Sequence, residues 1–214
     1  GPAMSREEAV KAIEVGISMV ADLKEKGYNV LATGEMGIGN TTTSSAVCSV
    51  LLDQSVEKVT GKGAGLTKKD LEHKIEVIRQ SIALNKVNAD DPLDVLAKVG
   101  GLDIAGMAGC YIGGAALNIP VFIDGFISSV AALIAIRLVP ECAPYLFPSH
   151  CSNEPAGRMI LDAIGKQPYI LANMCLGEGT GAVMGFTIAD YAFKAYWELP
   201  SFEQTNFGTY EELN

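Results

Sequence analysis

Charge is scarce in this chain: 19% of its 214 residues are Asp, Glu, Lys or Arg, below the roughly 25% usual for soluble domains. Basic charge is scarcer still, with 16 Lys and Arg against 25 Asp and Glu and a net charge of −9. Such a chain lacks the basic patch that drives non-specific nucleic-acid binding and has little to offer anionic lipid. Neither nucleic acid nor a membrane is expected as a partner. Histidine is almost missing: His73 and His150 stand far apart. The five cysteines, Cys48, Cys110, Cys142, Cys151 and Cys175, form no C-x-x-C pair. That spacing excludes a zinc site, and no metal or other cofactor is expected. Scattered cysteines odd in number read as small buried hydrophobes in a reducing cytoplasm, the expected location. No secretory leader is read at the front, where Gly1-Pro-Ala-Met4 looks like an expression remnant. Twenty residues from Ile104 to Ile123 carry no charge and include Gly109-x-x-x-Gly113, but Asn118 and Pro120 interrupt them and no aromatic belt or basic flank appears. A small-residue helix followed by a buried strand is the better reading.

Glycine, in contrast, is abundant, with 23 residues against a usual ~7%. The glycines punctuate an alternation of short apolar runs and longer periodic ones. Ser5 and Glu8 make a capping box for a helix to about Lys26, and Gly27 stops it. Tyr28–Thr33 reads as a strand, Gly34–Asn40 as a glycine turn and Thr41–Leu52 as a helix. Thr67–Val87 is a long amphipathic helix with its charges outward, and Pro92 sits in the first turn of another. Leu102–Leu117 and Gly125–Arg137 are apolar helices around a strand at Pro120–Asp124. Tyr145–His150 and Tyr169–Met174 are further strand candidates, Asn153–Ile164 a helix, and Leu176–Ala182 a loop before a closing helix to about Trp197. This order predicts an α/β fold, a doubly wound parallel sheet with helices on both faces. One domain should span residues 5–200, with a polar tail at 201–214. Ile104–Ile136 holds more apolar surface than one sheet face covers, so part of it is expected in a homodimer interface.

In such a sheet, ligands sit at the carboxyl ends of the strands. Gly34-Glu-Met-Gly-Ile-Gly-Asn-Thr-Thr42 nearly fits the phosphate-loop spacing, with Asn40 where that loop has lysine. Glycine amides and a helix start at Thr41 suit a single phosphate; a ligand-free tight turn is the alternative. A triphosphate hydrolase is disfavoured by Asn40. Glu35 is either an exposed turn acid or a carboxylate placed near something cationic. Glu178, between Gly177 and Gly179, is either a general base or an acid complementing a helix dipole. Asp124 ends a buried strand, and Ser152 is either a helix cap or a phosphate donor. Lys74, within the long helix, reads as solvated.

Taken together, G-E-M-G-I-G-N-T-T, V-T-G-K-G-A-G, G-G-L-D-I-A-G-M-A-G, P-V-F-I-D-G-F-I-S-S, S-H-C-S-N-E-P-A-G and L-G-E-G-T-G-A resemble the nicotinate-nucleotide:dimethylbenzimidazole phosphoribosyltransferases, in family order from about Ser5 to Leu199. The resemblance implies a dimeric α/β enzyme that moves the phosphoribosyl group of nicotinate mononucleotide onto a benzimidazole-type base, for the lower ligand of cobalamin. It implies Glu178 as the base, with Glu35 and Lys74 assisting. It further implies substrate contacts from Gly37, Ile38, Gly39, Asn40, Thr41, Thr42, Asp124, Ser152, Leu176 and Gly177. Family chains carry a substantial section ahead of the helix at Ser5 that helps build the benzimidazole pocket. The alternative expectation is therefore a non-catalytic mononucleotide-binding or dimerisation fragment.

Overall fold

Three parallel strands form the only sheet seen among residues 1–205, the residues described by the computed structural model. The strands β1 (Leu31–Ala32), β2 (Val121–Ile123) and β3 (Leu146–Pro148) lie in the order 1-2-3. Leu31 pairs with Val121, which pairs with Leu146; Ala32 pairs with Phe122, which pairs with Phe147. Nine α-helices are described: α1 (Arg6–Glu25), α2 (Thr41–Leu51), α3 (Val56–Val59), α4 (Lys68–Asn85), α5 (Pro92–Val99), α6 (Leu102–Ala116), α7 (Phe126–Leu138), α8 (Gly157–Ala163) and α9 (Thr180–Glu198). Alternation along β2 sets the layers. Val121 lies against Gly114 of α6, while Phe122 turns the other way, edge-on to Phe186 of α9 at 5.0 Å between centroids. The α/β class, the parallel sheet and helices on both faces hold. The order 1-2-3 does not carry the reversal that completes a doubly wound sheet.

Local signals act where expected. Ser5 and Glu8 close the capping box on α1, and Asp91 caps α5 ahead of Pro92. The G-x-x-x-G of α6 serves close helix packing within the protein. A Cβ on Gly16 of α1 would meet the backbone of Gly109 and Cys110, and one on Gly113 would meet Ile17. None of the helices among the described residues is long and apolar enough to cross a membrane.

Other expectations need correction. The strand at Tyr28–Thr33 shrinks to two residues because its neighbour β2 begins only at Val121, so nothing pairs with Tyr28–Val30. Tyr169–Met174 makes one bridge, Ile170 to His150, and Leu171 faces solvent. Helix α8 starts at Gly157 instead of Asn153, since a turn through Glu154 and Pro155 comes first. Ser152 therefore does not cap it. The stretch Ile104–Ile136 offers little surface to a second copy: α1 covers α6, and every residue of α7 from Phe126 to Ala135 is buried within the chain. Exposed apolar side chains gather instead on α9, at Val183, Met184, Ile188, Tyr191, Phe193, Tyr196 and Trp197. Met4, in the segment read as a remnant, is buried, and its amide donates to the Ala97 carbonyl. Of the polar tail at 201–214, residues 206–214 lie outside the described residues.

Candidate active site

Because the strands are parallel, their carboxyl ends bring three chain segments to one edge: Thr33-Gly34 after β1, Asp124 after β2 and Ser149-His150 after β3. A buried network fixes the first. Thr33 Oγ1 lies 2.6 Å from the Tyr111 hydroxyl, which donates to the Ser128 carbonyl at 3.1 Å. Above it the two glycine-rich loops touch: a Cβ on Gly34 would fall 2.5 Å from the Gly179 nitrogen. Only glycine permits that approach. The contact brings together the loops that carry Glu35 and Glu178, which are more than 140 residues apart in sequence.

Glu178 stands exposed in the middle of a left-handed run, with φ of 74° at Gly177, 59° at Glu178 and 81° at Gly179. A non-glycine residue there costs roughly 1–2 kcal/mol, so the surroundings must hold it. Asp124 does so. One of its carboxylate oxygens accepts from the Gly179 amide at 2.9 Å; the other accepts from Gly181 and Ala182 at 2.8 and 3.2 Å. Asp124 is 2% exposed and thus caps α9 from a neighbouring strand. Its oxygens are committed to the loop, which makes it a clamp on Glu178 more than an open pocket carboxylate. His150 packs beneath, its Nδ1 3.9 Å from Asp124 and 3.1 Å from Ser149 Oγ. Burial lowers its pKa, and Asp124 only partly opposes this. The Ser149 hydroxyl donates to the Ile123 carbonyl at 2.7 Å, which leaves its oxygen to accept from the imidazole.

The turn Gly37–Thr42 leads into α2 as expected, with Gly39 at φ 91°. Asn40 and Thr41 amides take no acceptor among the described residues, as at any open helix start. Glu35 bends back to accept from the Gly37 amide at 2.9 Å and from the Asn40 side chain. The same Asn40 amide donates to Asp103 at 3.0 Å. Asn40 therefore ties two carboxylates together. Asp103, in the first turn of α6, lies within the G-G-L-D-I-A-G-M-A-G block but was not singled out, because only its contact with Asn40, 63 residues away, marks it. Ile38 projects into solvent at the lip of the turn.

The lysine absent at position 40 arrives from elsewhere. Lys74 is 8% exposed, and its Nζ donates to Thr41 Oγ1 at 2.8 Å and to the Gly61 carbonyl at 3.1 Å. The solvated reading of Lys74 is thus corrected: it points inward from α4 because the glycine loop 61–65 leaves room over Thr41. Burial lowers its pKa, with Glu154 opposing. Ser152 Oγ accepts from the Glu154 amide at 3.3 Å, on the side of this cluster. Leu176 is exposed at the entrance to the Glu178 loop. A turn with two unpartnered amides, a buried ammonium and two carboxylate-bearing loops therefore lie along one edge. No group of three or more His, Cys, Asp or Glu that could hold a metal occurs among the described residues. A concavity of about 1070 Å³ lies elsewhere, between α9 and the Phe122 and Phe147 side of the sheet, and shares none of these residues.

Comparison with known proteins gives consistent results. A family model described as phosphoribosyltransferase matches residues 1–207. The nicotinate-nucleotide–dimethylbenzimidazole phosphoribosyltransferase of Ruminiclostridium cellulolyticum is 55% identical over 213 residues, covering 100% of this chain and 60% of that protein. The protein of the same name from Acetivibrio thermocellus is 52% identical over 211 residues, covering 99% and 60%. The crystal structure of CobT from Thermus thermophilus superposes with a TM-score of 0.90 at 35% identity, covering 95% of this chain and 61% of that one. The chain spans about 60% of the length of the curated relatives it matches.

Proposed function

The chain belongs to the phosphoribosyltransferase family, and from that premise we propose that it supplies the catalytic body of a nicotinate-nucleotide–dimethylbenzimidazole phosphoribosyltransferase. The substrates are nicotinate mononucleotide and 5,6-dimethylbenzimidazole or a related azole; the products are α-ribazole phosphate and nicotinate. The phosphate rests on Gly37–Thr42, held by the free amides of Asn40 and Thr41 and by the Lys74 ammonium. Anchoring it there orients the ribose toward the two acidic loops. One azole nitrogen attacks C1′ on the face opposite nicotinate, which inverts that carbon from β to α. The C1′–nicotinate bond breaks, and its electron pair returns to the pyridinium nitrogen. The other azole nitrogen gives its proton to Glu178, which later releases it to water. Glu35 and Glu178 stabilise the positive charge that builds on the ribosyl carbon.

The observation that supports this reading most is the close approach of Gly34 to Gly179, which brings the Glu178 loop against the turn that carries Glu35. Incubation with nicotinate mononucleotide and dimethylbenzimidazole tests it: nicotinate should be released as α-ribazole phosphate accumulates. Absence of both, even with a relative's unmatched portion added in trans, contradicts it. The working form is proposed to be a cytoplasmic homodimer, a reading supported by five free cysteines and the apolar face left on α9. Light scattering that finds a monomer at micromolar concentration counts against the dimer.

A further inference from the structure

Residues 60–67, between α3 and α4, fold over Lys74 and meet the turn after β3 at Glu154. Gly61 gives its carbonyl to Lys74 and makes room for Glu154; a Cβ there would collide with Glu154 Oε2 and with Pro155. That oxygen is buried and has no hydrogen-bond partner among the described residues. A buried carboxylate oxygen without a donor is costly unless an opposite charge compensates it. Lys74 is that charge, acting across Gly61 without a direct hydrogen bond.

The other groups on the elements packed around Lys74 do not fill this part. Helix α2 carries no charged residue, and its one thiol, Cys48, is pushed up to about 12 by burial. On α3, Glu57 pairs with Arg79, while Lys58 is exposed; on α5, Asp94 pairs with Lys98. Lys62 of the covering loop, and Asp70 and His73 of α4 itself, are exposed.

We propose that Glu154 is a positioning residue whose carboxylate, seated on Gly61, keeps the Lys74 ammonium charged and held against Thr41 at the head of α2. Burial weakens the proton affinity of Lys74 and Glu154 opposes that loss; burial also raises the pKa of Glu154, and Lys74 first and the Gly63 amide second oppose that rise. Each group keeps the other ionised. The pairing rests on Gly61, which meets both side chains, and on the buried, unpartnered Glu154 oxygen, whereas its consequence for anion binding rests on the phosphate role proposed for the turn.

Nitrogen-15 NMR of the lysine Nζ groups tests the pairing, with the Lys74 signal assigned by its loss in Lys74→Arg. Glu154→Gln should lower the Lys74 titration midpoint by about one pH unit, about tenfold in proton affinity. Glu57→Gln should leave that midpoint where it is in the wild type. Reciprocally, Lys74→Met should raise the midpoint of the Glu154 carboxyl, read by carbon-13 NMR. That arm decides alone if Glu154→Gln does not fold. An unmoved Lys74 midpoint in folded Glu154→Gln, or an unmoved Glu154 midpoint in Lys74→Met, overturns the proposal. Calorimetry with inorganic phosphate separates the two readings. Affinity in Glu154→Gln should fall further below wild type at pH 9 than at pH 7. Shifted midpoints with unchanged phosphate affinity support the pairing and overturn the phosphate site.

Discussion

Asp124→Asn is the sharpest structural perturbation of the Glu178 loop. The two Asp124 oxygens take three amide protons, at 2.8, 2.9 and 3.2 Å, from Gly181, Gly179 and Ala182. Asparagine offers one acceptor oxygen, and its NH2 group must face an amide whichever way it turns. If the oxygen stays with Gly181 and Ala182, the NH2 confronts the Gly179 N–H, the residue next to Glu178. A hydrogen bond to a charged acceptor contributes about 1.5–3 kcal/mol, and a stranded buried donor adds a penalty of its own. Loss of negative charge at the start of α9 adds a few tenths to 1 kcal/mol. The expected destabilisation is about 2–4 kcal/mol, read as a lower urea midpoint at unchanged slope. Hydrogen exchange should localise it, with Gly179 and Gly181 amides losing protection first. In turnover, kcat should fall while mononucleotide affinity stays near wild type, because the anion turn is untouched. A variant with wild-type stability and protected Gly179 and Gly181 amides refutes the clamp.

Three further outcomes are expected. Glu178→Gln should lower turnover by about 10²–10⁴-fold with mononucleotide binding retained, and Glu35→Gln by less; wild-type turnover in Glu178→Gln together with loss in Glu35→Gln moves the base to Glu35. Gly39→Val should weaken mononucleotide binding with the fold intact. Its φ of 91° disfavours any side chain, and a Cβ meets nothing within 4 Å, so unchanged affinity in the folded variant counts against the turn. His150 has a folded-state pKa below its ordinary 6.5, so neutral His150 contributes stability that is complete above about pH 6.5 and lost as pH falls from there through the folded value. Urea midpoints across pH 7 to 5 should fall more in the wild type than in His150→Gln, and parallel curves refute the assignment.

Much of this architecture was legible in the residues, since caps and glycines act locally: Ser5, Pro92 and Gly27 mark helix ends by short-range chemistry. The strand-end position of Asp124 and the glycine context of Glu178 were readable for the same reason. What was hidden depends on distant segments. Lys74 looks solvated on its own helix because the room it occupies is created by Gly61 and Gly63, on a separate loop. The role of Asp124 as a clamp depends on amides 55 to 58 residues away. Asp103 and Glu154 lie within family-like blocks, but nothing local sets them apart from their neighbours; each becomes notable only through Asn40 or Gly61. The apolar Ile104–Ile136 stretch suggested a surface for a partner because sequence does not reveal that α1 already covers α6.

A crystal structure with nicotinate mononucleotide bears most directly on the proposed phosphoribosyl transfer at this edge. The account predicts phosphate oxygens within hydrogen-bond distance of the Asn40 and Thr41 amides and of Lys74, with the ribose C1′ beside the Glu35 and Glu178 loops. A phosphate bound away from Gly37–Thr42, for example in the concavity under α9, would contradict it.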